Sequence, residues 1–133
     1  MAMITVQAVC DQGFRIESRG HALFVDQPHG DSVSLGPTPV ELFVMSVASC
    51  AAHYAVAYLR KNDLPHRDLR VECMWNMRPE PARVGRIDLK VLPPSPLDAE
   101  HVTGMLAAVN HCTVHNSLRM PPEVHISEAS TVG

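Results

Sequence analysis

Positive charge is what this sequence most plainly lacks. Across 133 residues, 11 Lys and Arg stand against 14 Asp and Glu for a formal charge of −3, so there is no electrostatic footprint for nucleic acid. Charged residues are only 19% of the chain and apolar residues 46%, a balance that excludes intrinsic disorder and provides for one buried core. The N-terminus lacks the basic start, apolar run and small-residue cleavage site of a secretory signal, so the expected address is the cytoplasm. Internal repeats and low-complexity segments are also missing, and the expectation is a single domain over 1–133. In the cytoplasm the four cysteines, Cys10, Cys50, Cys73 and Cys112, are expected to be reduced. A pair that bonds there is catalytic or redox-sensing rather than a staple.

What the chain does have is a clear order of elements. Ile4, Val6 and Ala8 alternate with Thr5 and Gln7 over residues 3 to 9, and Phe14 and Ile16 alternate before a Ser18-Arg19-Gly20 turn. With His21 to Val25 these make three short strands. Asp26 to Asp31 is turn chemistry, leading through an irregular stretch to Gly36. Thr38-Pro39-Val40-Glu41 then supplies an N-cap, a proline at the first helical position and a carboxylate at the third, the capping-box arrangement. Arg60-Lys61-Asn62-Asp63 ends this helix and Leu64-Pro65 prevents its resumption. Residues 71–77 and 86–92 form a hairpin about Pro79-Glu80-Pro81. In Pro93-Pro94-Ser95-Pro96, Ser95 caps and Pro96 opens a second helix to Asn110, striped with Leu97, Val102, Met105, Leu106 and Val109. Cys112 begins a short helical stretch to Leu118, and Glu123-Val124-His125-Ile126 reads as a last strand.

The first helix is unusual. From Leu42 to Leu59 it carries no charge, and its polar groups are Ser46, Ser49, His53 and the hydroxyls of Tyr54 and Tyr58. Eighteen residues rise about 27 Å, near the lower limit of a membrane span, but the polar and small residues from Ser46 to His53 argue against insertion into lipid. The expectation is a helix covered on several sides, by a sheet on one face and a second copy of the chain on another, hence a homodimer with no membrane partner.

Two Cys-x-x-His units, Cys50-Ala51-Ala52-His53 and Cys112-Thr113-Val114-His115, each set a thiol one helical turn from an imidazole. A thiolate is both the nucleophile and the metal ligand of cysteine chemistry, and a helix N-terminus or an imidazolium favours it. Redox catalysis, metal binding and plain burial are all open to such a set. The two units supply two sulfur and two nitrogen donors, the set zinc takes in closed tetrahedral sites. Zinc fingers bring their ligand pairs from turns, however, whereas Cys50 is mid-helix, and no metal is expected. Cys10 and Cys73, on alternating strands, are expected to be small buried hydrophobes. His53 and His115 read as core or interface histidines, and His21, His29, His66, His101 and His125 as surface or loop groups. No oxyanion-hole or orienting-acid motif marks a cysteine hydrolase.

Gly36-Pro37-Thr38-Pro39-Val40-Glu41-Leu42-Phe43, followed by Ser46-Val47-Ala48-Ser49-Cys50, resembles the central-helix motif of the OsmC/Ohr family of thiol proteins. Cys112-Thr113-Val114-His115-Asn116-Ser117-Leu118 is similar to that family's second motif, in which Cys, a small residue, Val and His open a short helix. The element order fits as well. The resemblance implies an α+β, OsmC/Ohr-like fold, with antiparallel sheets wrapped around a long buried central helix, in an intertwined homodimer whose active sites lie at the subunit interface. It implies a thiol-dependent peroxidase, part of an oxidative stress response, with Cys50 peroxidatic and Cys112 resolving. Cys50 attacks an organic hydroperoxide, the resulting sulfenic acid condenses with Cys112, and a dithiol reductant, in characterised branches often a lipoyl group, reduces the disulfide. No cofactor is called for. The family also uses an arginine from the N-terminal β region and a glutamate near the start of the central helix to hold the thiolate. In register that glutamate falls on Val40, with Glu41 one residue on, and Arg15 and Arg19 are the arginines before the helix. Glu41, Arg15 and Arg19 are therefore the candidates, Glu41 being equally a member of the capping box. The readings from other classes are a non-catalytic binding module carrying an apolar ligand in the dimer cleft and the Cys2His2 metal protein.

Overall fold

The computed structural model describes residues 2–27 and 33–130. The turn expected through Asp31, and His29 within it, fall largely outside the described residues. The elements run β1 (Thr5–Ala8), β2 (Gly13–Ser18), β3 (His21–Asp26), α1 (Pro39–Lys61), β4 (Arg70–Arg78), β5 (Arg83–Leu92), α2 (Ala99–Asn110) and α3 (Thr113–Arg119). This is an α+β chain with two antiparallel sheets and three helices. It divides into two compact units, residues 1–49 with 71–90 and residues 50–70 with 91–133.

In the first unit β1, β2 and β3 form an antiparallel sheet in sequence order. Val6 lies opposite Ile16, Phe14 opposite Val25 and Ile16 opposite Leu23, so the alternation seen in the sequence puts these apolar residues on one face. The β2–β3 turn has two residues, Arg19 at φ 53° and Gly20 at φ 76°. Both are left-handed, as a tight hairpin matched to strand twist requires, and glycine adopts that conformation without cost. β4 and β5 pair as a second, two-stranded sheet.

Helix α1 begins as the sequence dictates. The Thr38 N–H donates to Glu41 Oε1 at 2.9 Å and the Glu41 N–H to Thr38 Oγ1 at 3.0 Å, a reciprocal capping box that satisfies two orphan donors. The helix ends on Asp63, left-handed at φ 55°, with the Leu64 N–H donating to the Leu59 carbonyl at 2.9 Å. That bond satisfies a terminal carbonyl and folds Leu64 back toward the core. Val44, Val47, Ala51, Ala55 and Leu59 are buried, one stripe at helical spacing. The expectation of cover on several sides is met on that stripe only: Phe43 is 38% and Met45 48% exposed. By length and composition α1 also passes as a membrane span.

The second unit is built on the rest of α1 with α2 and α3. Its core joins Ala55, Leu59 and Met105, and Tyr58, Leu64, Leu69, Val91, Leu97 and Val109 pack against it. Full burial of a leucine such as Leu59 contributes roughly 1.5–3 kcal/mol. Three expectations need correction. Asp98, not Ser95, caps α2, its Oδ1 accepting the His101 N–H at 2.9 Å. Ser-Pro-Leu-Asp offers two capping residues, and the carboxylate wins because an anion suits a helix N-terminus. Residues 123–126 form no strand, because a strand needs a ladder partner and residues 123–126 have none among the described residues. Cys10 is exposed rather than buried, because it stands in the bend after β1 and not on a strand.

Candidate functional site

Cys50 and Cys112 both belong to the second unit. Cys50 is set in the interior of α1, where the helix fixes its backbone, and it is half-buried. Cys112 is 2% exposed and is the N-cap of α3, with φ −55° and ψ 132°. Its backbone is held twice: the Cys112 N–H donates to Val109 O at 3.0 Å, closing the end of α2, and its carbonyl accepts the Asn116 N–H at 2.9 Å, opening α3. The residue thus links the end of α2 to the start of α3.

Burial pushes the Cys112 thiol up from its ordinary value, and a hydrogen bond with the Cys50 side chain raises it further. Desolvation disfavours the thiolate. The backbone N–H groups of His115 and Val114 work the other way. They face the Cys112 sulfur at the helix N-terminus, although no side-chain bond caps the turn. All four cysteines are free thiols. The arrangement pairs a buried thiol with a more accessible one.

The imidazoles of the two Cys-x-x-His units do not share this task. His53 is exposed and stands edge-on to Tyr54, with ring centroids 5.4 Å apart. His115 Nδ1 lies 3.5 Å from Arg119 Nη2. Among the described residues no three His, Cys, Asp or Glu side chains gather into a group that could hold a metal. Glu41 is engaged in the capping box, and nine residues at 100° each place it half a turn round α1 from Cys50. It lines a small cleft with Val44, Met45, Ala48, Cys73 and Trp75. Arg15 pairs with Glu17 on β2 and lines, with Arg19 and His21, a shallow hollow of the first unit. Neither arginine is among the groups that set the Cys112 thiol. Cys73 is half-buried, its thiol pushed up by burial and by the Asp88 carboxylate, so it is a poor nucleophile.

Several residues that join the helices carrying the two cysteines belong to no motif. Tyr54 Oη and Thr113 Oγ1 lie 2.8 Å apart, joining α1 to α3. Tyr58 Oη is 3.0 Å from His101 Nδ1, joining α1 to α2, so His101 is a half-buried helix residue rather than a surface one. Arg119 donates to the Asn110 carbonyl at 2.9 Å and to Asn110 Oδ1 at 2.6 Å, tying α3 to the end of α2. One signal for the first two was in the sequence. Cys50, Tyr54 and Tyr58 recur every four residues and therefore share one face of α1.

A family model described as OsmC-like protein matches residues 29–127. No curated protein matches the sequence. Among solved structures, a proposed osmotic-stress-induced and detoxification-response protein of Psychrobacter arcticus superposes with a TM-score of 0.78 at 19% identity, covering 88% of each chain. The organic hydroperoxide resistance protein OsmC of Legionella pneumophila, also described as a predicted redox protein, gives 0.68 at 15% identity over 90% of this chain and 89% of its own. The organic hydroperoxide resistance protein OhrB of Bacillus subtilis gives 0.65 at 18% identity over 91% of this chain and 92% of its own. At these identities the structural likeness is one of fold.

Proposed function

The chain belongs to the OsmC-like protein family, and on that footing we propose that it is a thiol-dependent peroxidase that reduces organic hydroperoxides through Cys50 and Cys112. The family includes organic hydroperoxide resistance proteins, and two of the solved structures with this fold carry that description. The observation that carries the reading is that the two motif cysteines fall in one unit and their side chains interact, Cys50 being the more accessible and Cys112 buried, its thiol pushed up by burial and then by Cys50. In the proposed reaction the Cys50 thiolate attacks the terminal oxygen of R–O–O–H. The O–O bond breaks, the sulfur takes the hydroxyl as a sulfenic acid, and the departing alkoxide takes a proton to leave as the alcohol. The Cys112 thiol then attacks the Cys50 sulfur, a disulfide forms and water leaves. A dithiol such as a lipoyl group reduces the disulfide by exchange, becoming oxidised itself. The assisting cation is Arg15 or Arg19, and we assign Glu41 to the capping box.

We further propose that the working protein is a cytoplasmic homodimer. Apolar side chains that one chain leaves open include Phe43, Met45, Trp75 and Ile126, and the last of these sits in the segment that has strand patterning without a strand partner. A second copy is the simplest source of both cover and partner. A folded monomer at micromolar concentration by light scattering would overturn this part.

Consumption of cumene hydroperoxide with a dithiol reductant tests the activity. Wild-type protein is expected to turn over, Cys112→Ser to react once and stop at the sulfenic acid, and Cys50→Ser not to react. If wild type is no faster than Cys50→Ser, the reading fails. One observation then favours the binding module: Val6, Phe14, Ile16, Val25, Pro39, Leu42, Phe43 and Ser46 line an apolar cleft of about 550 Å³ in the first unit, the size and lining of a small-ligand site. Binding of an apolar ligand unchanged by Cys50→Ser would support that module.

A further inference from the structure

We propose that the Tyr54–Thr113 hydroxyl bridge is a clamp that holds Cys112 in reach of Cys50, so that Tyr54 and Thr113 are positioning residues for disulfide closure. The inference rests on the reading of Cys50 and Cys112 as a redox pair, and all four residues lie in the second unit. Tyr54 is one helical turn beyond Cys50 on the same face of α1, and Thr113 is the residue after Cys112. The bridge between them, 2.8 Å from Oη to Oγ1, therefore spans the same two elements as the sulfurs and lies beside them.

The need for such a clamp follows from the two supports. Cys50 is fixed by a helix of 23 residues. Cys112 is carried on α3, which has seven residues, too few to hold a helix without outside contacts. The contacts of α3 with the end of α2, through Arg119 and Asn110, fix its direction relative to α2 but not its distance from α1. The Thr113 hydroxyl supplies that distance. Its own carbonyl is anchored in turn by Ser117 Oγ at 3.0 Å, so the residue that meets Tyr54 is itself held.

Geometry makes this consequential. A disulfide forms only when the two sulfurs approach to about 2.05 Å with a dihedral near 90°, which restricts the Cα separation to roughly 4.4–6.8 Å. Loss of the clamp lets α3 drift and lowers the effective concentration of one thiol at the other. Attack of peroxide on Cys50 does not involve α3 position in the same way, so the clamp separates the two halves of the cycle: sulfenic acid formation is indifferent to it, and closure depends on it.

The test uses full-length reduced protein and the variants Tyr54→Phe, Thr113→Val, the double variant, and Thr113→Ser, which keeps the hydroxyl. Titration in a glutathione redox buffer, read by mass spectrometry of alkylated peptides, gives the effective concentration of the Cys50–Cys112 pair without any peroxide. Loss of one exposed hydroxyl pair is expected to lower it roughly three- to tenfold in Tyr54→Phe and in Thr113→Val, by no more in the double variant, and not at all in Thr113→Ser. In single turnovers with cumene hydroperoxide, Tyr54→Phe is expected to form the sulfenic acid at the wild-type rate and to close it three- to tenfold more slowly, with more adduct trapped by dimedone. Wild-type effective concentration in both single variants, or losses that add in the double variant, would overturn the clamp. Should Tyr54→Phe fail to fold, Thr113→Val reads the same bridge from the other side. A wild-type protein that forms the disulfide in glutathione but ignores hydroperoxide would sink the peroxidase reading alone, and the titration would still judge the clamp.

Discussion

Gly104→Ala is the substitution in which two general rules give opposite signs, and the structure decides between them. A glycine in a helix interior is worth about 1 kcal/mol less than alanine, so on propensity alone the change stabilises α2. A Cβ on Gly104, however, would stand 2.2 Å from Tyr58 Oη, 2.6 Å from Cζ and 2.8 Å from Cε2. Contacts that short require the phenol to move. Tyr58 is not a free surface side chain: its ring packs against the Ala55, Leu59 and Met105 core and its hydroxyl is bonded to His101 Nδ1 at 3.0 Å. Displacement costs that hydrogen bond, about 1 kcal/mol, and the repacking of an overfilled site, roughly 1–3 kcal/mol. Against a propensity gain of about 1 kcal/mol, the net expectation is a loss of about 1–3 kcal/mol. For a chain of this length each kcal/mol corresponds to about 3–5 °C in Tm, so urea and thermal unfolding of the reduced protein should both resolve it. The same substitution in a Tyr58→Leu background should recover the propensity gain and become stabilising relative to Tyr58→Leu alone. A single Gly104→Ala as stable as wild type would refute the reasoning.

Two further outcomes follow from particular groups. Because burial, and then the hydrogen bond with Cys50, push the Cys112 thiol above its ordinary value, closure by its thiolate should speed up about tenfold per pH unit from pH 6 to 8, and a flat stopped-flow profile would contradict it. The sign for stability is the reverse: the unfolded thiol ionises first, so the full contribution is present below about pH 8.5 and is lost as pH rises through the folded value, which Tm measured against pH in Cys112→Ser and wild type should separate. Thr38→Ala removes the hydroxyl that accepts the Glu41 N–H and should cost about 1 kcal/mol, read as a drop of about 3–5 °C in Tm.

The fold was legible where the signal is local. The capping box at Thr38, the stop at Asp63, the three alternating strands and the second hairpin each depend on neighbours a few residues apart, and each forms where the sequence indicates. The misreadings occur where the deciding interaction is out of local reach or where two local candidates compete. Residues 123–126 have a strand's pattern, yet Val124 is 76% and Ile126 93% exposed, because pairing is a property of two segments and no second one meets them among the described residues. Ser95 and Asp98 both suit a cap, and only the bond to the His101 N–H distinguishes them.

The site divides in the same way. Cys50 and Cys112 stand in motifs, and a motif is a local pattern, so both could be proposed as site residues before any geometry was known. Their support could not, since the Tyr54–Thr113 bond joins positions 59 apart, and no spacing within a single sequence encodes that distance. The same argument explains why the two histidines of the Cys-x-x-His units misdirect. Spacing puts an imidazole one turn from each thiol, but the rings turn to Tyr54 and Arg119, while the group that acts on Cys112 is the other thiol. A thiol is activated by nearby cations, by hydrogen bonds and by helix amides. On the proposed reading the two sulfurs work as a pair, so the elements that fix their separation belong to the site as much as the sulfurs themselves.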